Sequence, residues 1–139
     1  MTETQAVIEL ADLDILEDVE HLIAHYPPSR KDRHAIRVVV KDGHVNLSGH
    51  VQTPNTRRYL MDNLPNIDGL RSVTADALYD DESARLDVGK VLPVGVRLGR
   101  VYYGRVVLSG KLPAGASGED VIARVQQVPG VGRVVPAFR

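Results

Sequence analysis

Gly43-His44-Val45-Asn46-Leu47-Ser48-Gly49 returns 61 residues later as Gly104-Arg105-Val106-Val107-Leu108-Ser109-Gly110. Between its two glycines each copy alternates apolar with polar or solvent-tolerant residues, the pattern of a half-buried strand. The same shift carries Leu60 onto Val121, Met61 onto Ile122, Leu64 onto Val125 and Ile67 onto Val128. It also carries Gly69 onto Gly130, Leu70 onto Val131 and Val73 onto Val134, with no gap. A fixed period of this length is the mark of a structural unit written twice.

Each unit then has about 60 residues, near the lower limit for an independent core. With one Phe and no Trp, the cores are built from Val, Leu, Ile and Ala. The net charge of −1 argues against a general nucleic-acid binder. The charge is uneven: residues 1–79 hold 8 Lys/Arg and 12 Asp/Glu, and residues 80–139 hold 9 and 6, giving −4 and +3. A basic second half suits an anionic partner. With no Cys, disulfides, thiolate metal sites and Cys nucleophiles are excluded. Neither a signal peptide, a lipoprotein anchor nor a membrane-spanning run is visible, so the expected location is cytoplasmic, peripheral to a membrane if it meets one.

Along the chain, residues 1–12 fit either a helix start or a short strand. Asp14 and Glu17 have the form of a capping box. At about 100° per residue, Ile15, Leu16, Val19, Leu22, Ile23 and Tyr26 share one arc, which predicts an amphipathic helix stopped by Pro27 and Pro28. Ser29–Arg33 reads as a charged loop. Ile36–Lys41 and 44–51 read as a hairpin about Asp42-Gly43. Thr53-Pro54 starts a helix that buries Leu60, Met61 and Leu64 and stops at Pro65. A third strand runs over 71–78.

The second unit repeats this order. Its first helix, 81–91, is weakened at Gly89 by about 1 kcal/mol and ended by Pro93. Strands are expected at 94–101 and 104–112, with Val94, Val96 and Leu98 alternating. The period loses parity before Gly104, which predicts a bulge near Gly99–Tyr102. Ser117 with Asp120 caps the next helix, Val121, Ile122 and Val125 line its buried side, and a last strand covers 131–138. The fold expected is α+β: two tandem αββαβ units, each a three-stranded sheet with two helices on one face.

The hairpin Gly43, Val45, Leu47, Gly49, Val51 with the closing Gly69, Leu70, Val73, and its second copy Gly104, Val106, Leu108, Gly110, Leu112 with Gly130, Val131, Val134, resembles a tandem pair of BON domains, the bacterial osmotically-inducible-protein-and-nodulation domain. The resemblance covers most of residues 14–138. It divides the chain into an N-terminal extension (1–13), a first BON-like domain (14–79) and a second (80–139). It implies the αββαβ fold, no catalysis and no cofactor. It also implies a stress-related module that binds anionic phospholipid surfaces or envelope proteins. An alternative implied by the family is a protein–protein or small-ligand module such as a potassium sensor.

Three groups of residues are candidate sites. Arg97, Arg100, Arg105 and Lys111, interleaved with Tyr102 and Tyr103, suit lipid headgroups or phosphates; the alternative is an ordinary solvated sheet face. They lack the aromatic pattern of RNA-recognition sheets, and no nucleic-acid partner is expected. His21 and His25 stand one helical turn apart, a spacing that can chelate a transition metal, but no third ligand accompanies them and no metal site is assigned. Gly49 and Gly110 read as positions of close backbone approach rather than ligand contacts. Sheet edges offer a route to a homo-oligomer. No triad or convergent carboxylate pair points to an enzyme.

Overall fold

A computed structural model describes residues 2–139. The chain divides into two compact units, the first comprising residues up to Val51 with Asn55–Leu78, the second Gln52–Pro54 with Tyr79–Arg139. Unit 1 runs α1 (Glu3–His25), α2 (Pro27–Asp32), β1 (Ile36–Lys41), β2 (His44–Val51), α3 (Pro54–Asn63) and β3 (Ser72–Asp80), whose last two residues, Tyr79 and Asp80, fall in unit 2. Unit 2 follows with α4 (Asp81–Val91), β4 (Val96–Tyr102), β5 (Arg105–Gly110), α5 (Gly118–Gln126) and β6 (Arg133–Pro136). The sheets have strand orders β1-β2-β3 and β4-β5-β6, and the fold is the expected α+β pair of αββαβ units. Among the described residues no helix is long and apolar enough to cross a membrane.

In unit 1, Ile15, Val19 and Ile23 of α1 and Leu60 of α3 join Val45, Leu47, Val51 and Ala75 of the sheet in one cluster. Both helices therefore lie on one face. In unit 2, Ala84 and Val88 of α4 and Val121 and Val125 of α5 close over Val96, Val101, Val106 and Leu108 in the same way.

Several local expectations are corrected. Helix α1 does not start at Asp14: Thr2 is its N-cap, with Thr2 Oγ1 accepting from Gln5 N at 3.1 Å and Gln5 Oε1 accepting from Thr2 N at 3.1 Å. Residues 3–13 contain no Gly or Pro, so nothing interrupts the helix upstream of Asp14. The extra turns leave Val7, Leu10 and Leu13 exposed. Ser29–Arg33 is not a loop, because Pro27 serves as the first residue of α2, where its missing N–H costs nothing. Ser29 Oγ then donates to the carbonyl of Ile23 (2.7 Å), whose usual helical donor would be the missing N–H of Pro27, and to that of Tyr26 (3.0 Å), which also accepts from Arg30 N at 2.8 Å. Helix α3 ends at Asn63, with Pro65 inside a following 3-10 turn. Val94 lies outside β4 and is 89% exposed, since Gly95 takes a positive φ of 91° beside it. β5 stops at Gly110, two residues short of Leu112.

The two hairpins share one device. Asp42 and Gly43 have φ of 51° and 81°; Tyr103 and Gly104 have 49° and 79°. Both dipeptides form turns with two left-handed residues, whose twist matches the flanking strands. Such a turn points its amides away from the ladder. In unit 1, Asp12 of α1 accepts both, Asp42 N and Gly43 N at 2.9 Å each. In unit 2, Asp81 of α4 accepts Tyr103 N at 2.6 Å and Gly104 N at 3.0 Å. One carboxylate, one oxygen per amide, ties each hairpin to the helix that precedes it.

This pairing extends the repeat to the first helix at an offset of 69 rather than 61. Asp12, Ile15, Val19, Leu22 and Ile23 correspond to Asp81, Ala84, Val88, Val91 and Leu92. Val19 and Val88 are both fully buried. The eight-residue difference is taken up by α2 and the 3-10 turn after it, which unit 2 lacks.

Gly49 and Gly110 are positions of close approach, as expected. With φ of 105° and 89°, a Cβ on either would overlap the carbonyl oxygen of Ala35 or Gly95 across the hairpin.

Removing the clamp should act on one hairpin at a time. Asp81→Ala leaves a buried turn amide unsatisfied and should cost unit 2 about 3 kcal/mol, while the more exposed Asp12→Ala should cost unit 1 about 1.5 kcal/mol. Hydrogen exchange resolved by peptide should show β4–β5 loosened by the first change and β1–β2 by the second.

A cationic sheet face as the candidate functional site

The bulge expected near Gly99 decides what the outer face of unit 2 carries. Leu98 pairs with Leu108, and the next pair is Arg100 with Val107, leaving Gly99 as the extra residue. Arg97 and Arg100 are three apart, so a regular strand would send them to opposite faces. The bulge resets the phase, and Arg97, Arg100 and Tyr102 all point outward while Val96 and Val101 stay in the core. A glycine suits the bulge, since a Cβ there would meet the Val107 carbonyl oxygen at 3.2 Å.

Tyr102 pairs with Arg105 across the hairpin, and Arg105 pairs with Arg133 of the parallel neighbour β6. Arg133 was not among the residues singled out from sequence. Its signal was present, since the shift of 61 sets it against Ser72 of β3, but a lone arginine in the closing strand gains meaning only through its register with Arg105. Lys111 is exposed just past β5, at the end of the hairpin away from the turn.

The arginines carry no internal counter-charge. Strands β4–β6 contain no Asp or Glu. The carboxylates of unit 2 sit on the helices: Asp80 caps α4 through Ser83 N at 2.7 Å, Asp81 holds the turn, and Asp87 pairs with Lys90 at 3.6 Å. Glu119 and Asp120 occupy the first turn of α5. Among the described residues no carboxylate lies within ion-pair distance of Arg97, Arg100, Arg105 or Arg133. Arg100 instead lies over the Tyr102 ring at 4.8 Å, a cation–π contact. Tyr102 is 44% exposed, and Tyr103, half-buried in the turn, meets it edge-on at 4.6 Å. Tyr102 thus belongs to the face, and Tyr103 supports it from the turn.

The histidine pair is placed differently. His21 and His25 are exposed on α1 with ring centroids 4.8 Å apart, but His25 Nδ1 is hydrogen-bonded to the His21 carbonyl at 3.1 Å. Among the described residues no group of three or more metal-ligating side chains occurs.

Residues 11–79 match the family model of the BON domain, which points to a non-enzymatic binding role. No curated protein matches the chain. Among solved structures, the chain is similar to the C-terminal domain of CdsD, a structural protein of the Type III secretion system of Chlamydia trachomatis. The TM-score is 0.57 at 21% identity, covering 88% of this chain and 64% of that one. The chain therefore spans under two thirds of that relative's length, and the likeness is one of fold. A second structure of CdsD is similar at a TM-score of 0.49 and 15% identity, covering 90% of this chain and 91% of that one.

Two arginines in register repel, so the face has a stability cost. Arg133→Glu should raise the stability of unit 2 by about 0.5 kcal/mol by replacing repulsion with attraction. The check is a denaturation midpoint for Arg133→Glu against Arg133→Ser at low ionic strength; a midpoint for the Glu variant at or below that of the Ser variant would contradict it.

Proposed function

We propose that the chain is a non-enzymatic binding module whose second unit, a second BON-like domain over 80–139 after a first over 14–79, docks reversibly on anionic phospholipid surfaces. The observation that carries this reading is the outer face of β4–β6: Arg97, Arg100, Arg105 and Arg133, with Lys111 beyond them and, among the described residues, no carboxylate within ion-pair distance of the four arginines. A cation near an anionic leaflet contributes about 1 kcal/mol, so four amount to about 4 kcal/mol, a millimolar-class and salt-sensitive attachment. Tyr102 adds an amphipathic ring of the kind that settles at headgroup level. The BON match supports a membrane-associated, stress-related role. The fold likeness to a secretion-system structural protein supports the alternative of a protein partner.

Vesicle flotation separates the two. The chain should float with vesicles containing phosphatidylglycerol, remain behind with phosphatidylcholine alone, and detach when salt is raised. Arg100→Ser with Arg105→Ser should reduce flotation about tenfold or more, since each cation lost removes about 1 kcal/mol. Equal recovery with both vesicle types would reject lipid docking in favour of a protein or small-ligand partner, and melting in the presence of potassium would then test the latter.

A further inference from the structure

Gly69 and Gly130 are the same position of the repeat, yet their surroundings differ. Gly130 is buried: a Cβ on it would come within 2.9 Å of Tyr79 Cβ and 3.3 Å of Tyr79 Cγ, with Ala84 Cβ at 3.6 Å. Gly69 is exposed: a Cβ there would meet only Ile15, the counterpart of Ala84, at 3.8 Å. In unit 2 a tyrosine lies against the glycine. In unit 1 that place is a cleft of about 380 Å³ walled by Ile8, Ala11 and Ile15, with Asp12, Asp42 and Arg71 at its margin. Leu10, which holds the position of Tyr79 at the offset of 69, is turned outward on α1 and is 63% exposed, because the helix runs on upstream. The place that Tyr79 takes beside Gly130 is thus open beside Gly69.

The chain carries a ring suited to it. Tyr102 is the only exposed tyrosine or phenylalanine among the described residues, and it lies within a carboxylate-free arginine face. The helix that walls the cleft has the opposite character. α1 holds seven Asp/Glu and no Lys/Arg, and a second cleft on the other side of Ile15 and Gly69 is edged by Asp14, Glu17, Asp18 and Asp68. We propose that the chain self-associates head to tail: Tyr102 of one molecule seats in the Gly69 cleft of a second copy, with Arg97, Arg100 and Arg105 facing the carboxylates of its α1. Two α1 helices would repel each other, which disfavours a symmetric contact through this surface. A heterologous contact of this kind closes into a ring or extends as a filament. It differs from strand pairing at sheet edges, and on β3 the carbonyls of Ala75 and Leu78 are already taken by Arg57 at 3.1 Å each.

Sedimentation velocity of the full chain, without lipid, tests this. The wild type should show concentration-dependent self-association that weakens as salt rises. Tyr102→Ser should weaken it about 30-fold, as truncation of a central aromatic anchor does. Ala11→Trp, at an exposed helix position, should block the cleft and abolish association. Mixing the two variants restores one intact contact, so a 1:1 complex should form in the mixture and in neither variant alone. A wild type that stays monomeric at all concentrations, variants that associate as the wild type does, or a mixture that forms no complex would each overturn the proposal. Lipid docking is scored separately, because Ala11→Trp leaves the arginine face intact and should float with anionic vesicles like the wild type.

Discussion

A single carboxylate holding two turn amides is the constraint from which each unit is built. A hairpin with two left-handed residues at its tip aims both N–H groups outward, where they need either water or an acceptor. Asp12 and Asp81 supply an acceptor from the preceding helix. That fixes where the helix lies along the sheet, which in turn sets Ile15 or Ala84 beside the closing glycine and Val19 or Val88 in the core. Hydrophobic burial drives the collapse but has no direction of its own. The charge-assisted hydrogen bonds give the helix its position on the hairpin.

From that shared frame the two units diverge in charge. Unit 1 places its carboxylates along an exposed helix, and unit 2 places its arginines on the open side of its sheet. The glycine bulge in β4 brings this about, because without the extra residue the arginines would be divided between core and solvent. The register then sets Arg105 against Arg133. Keeping like charges adjacent lowers stability.

Much of this could be read from the chain. The period of 61, the Asp42-Gly43 turn, the boundaries of β1, β2 and α4, and the irregularity at Gly99 all follow from local pattern, because turn residues and alternation act over a few positions. The start of α1 is not legible in this way, since Asp14 and Glu17 imitate a cap in mid-helix, and a cap operates only where the backbone leaves the helix. The helix after Pro27 is hidden because proline both stops a helix before it and starts one at it. The place of Arg133 is hidden too, because a residue joins a surface through its strand neighbour, here 28 positions away in sequence.

The sequence by itself determined the unit, its duplication, and the charge each copy carries, since these rest on periodicity and composition. Only the tertiary structure decided that Asp12 and Asp81 are equivalents, because their partners lie 30 and 22 residues along the chain and a constant shift cannot align them. It alone decided that four arginines share one face and that the glycine cleft is filled by a tyrosine in one unit and open in the other. Such features depend on register and on the path of the chain, which are set by contacts distant in sequence.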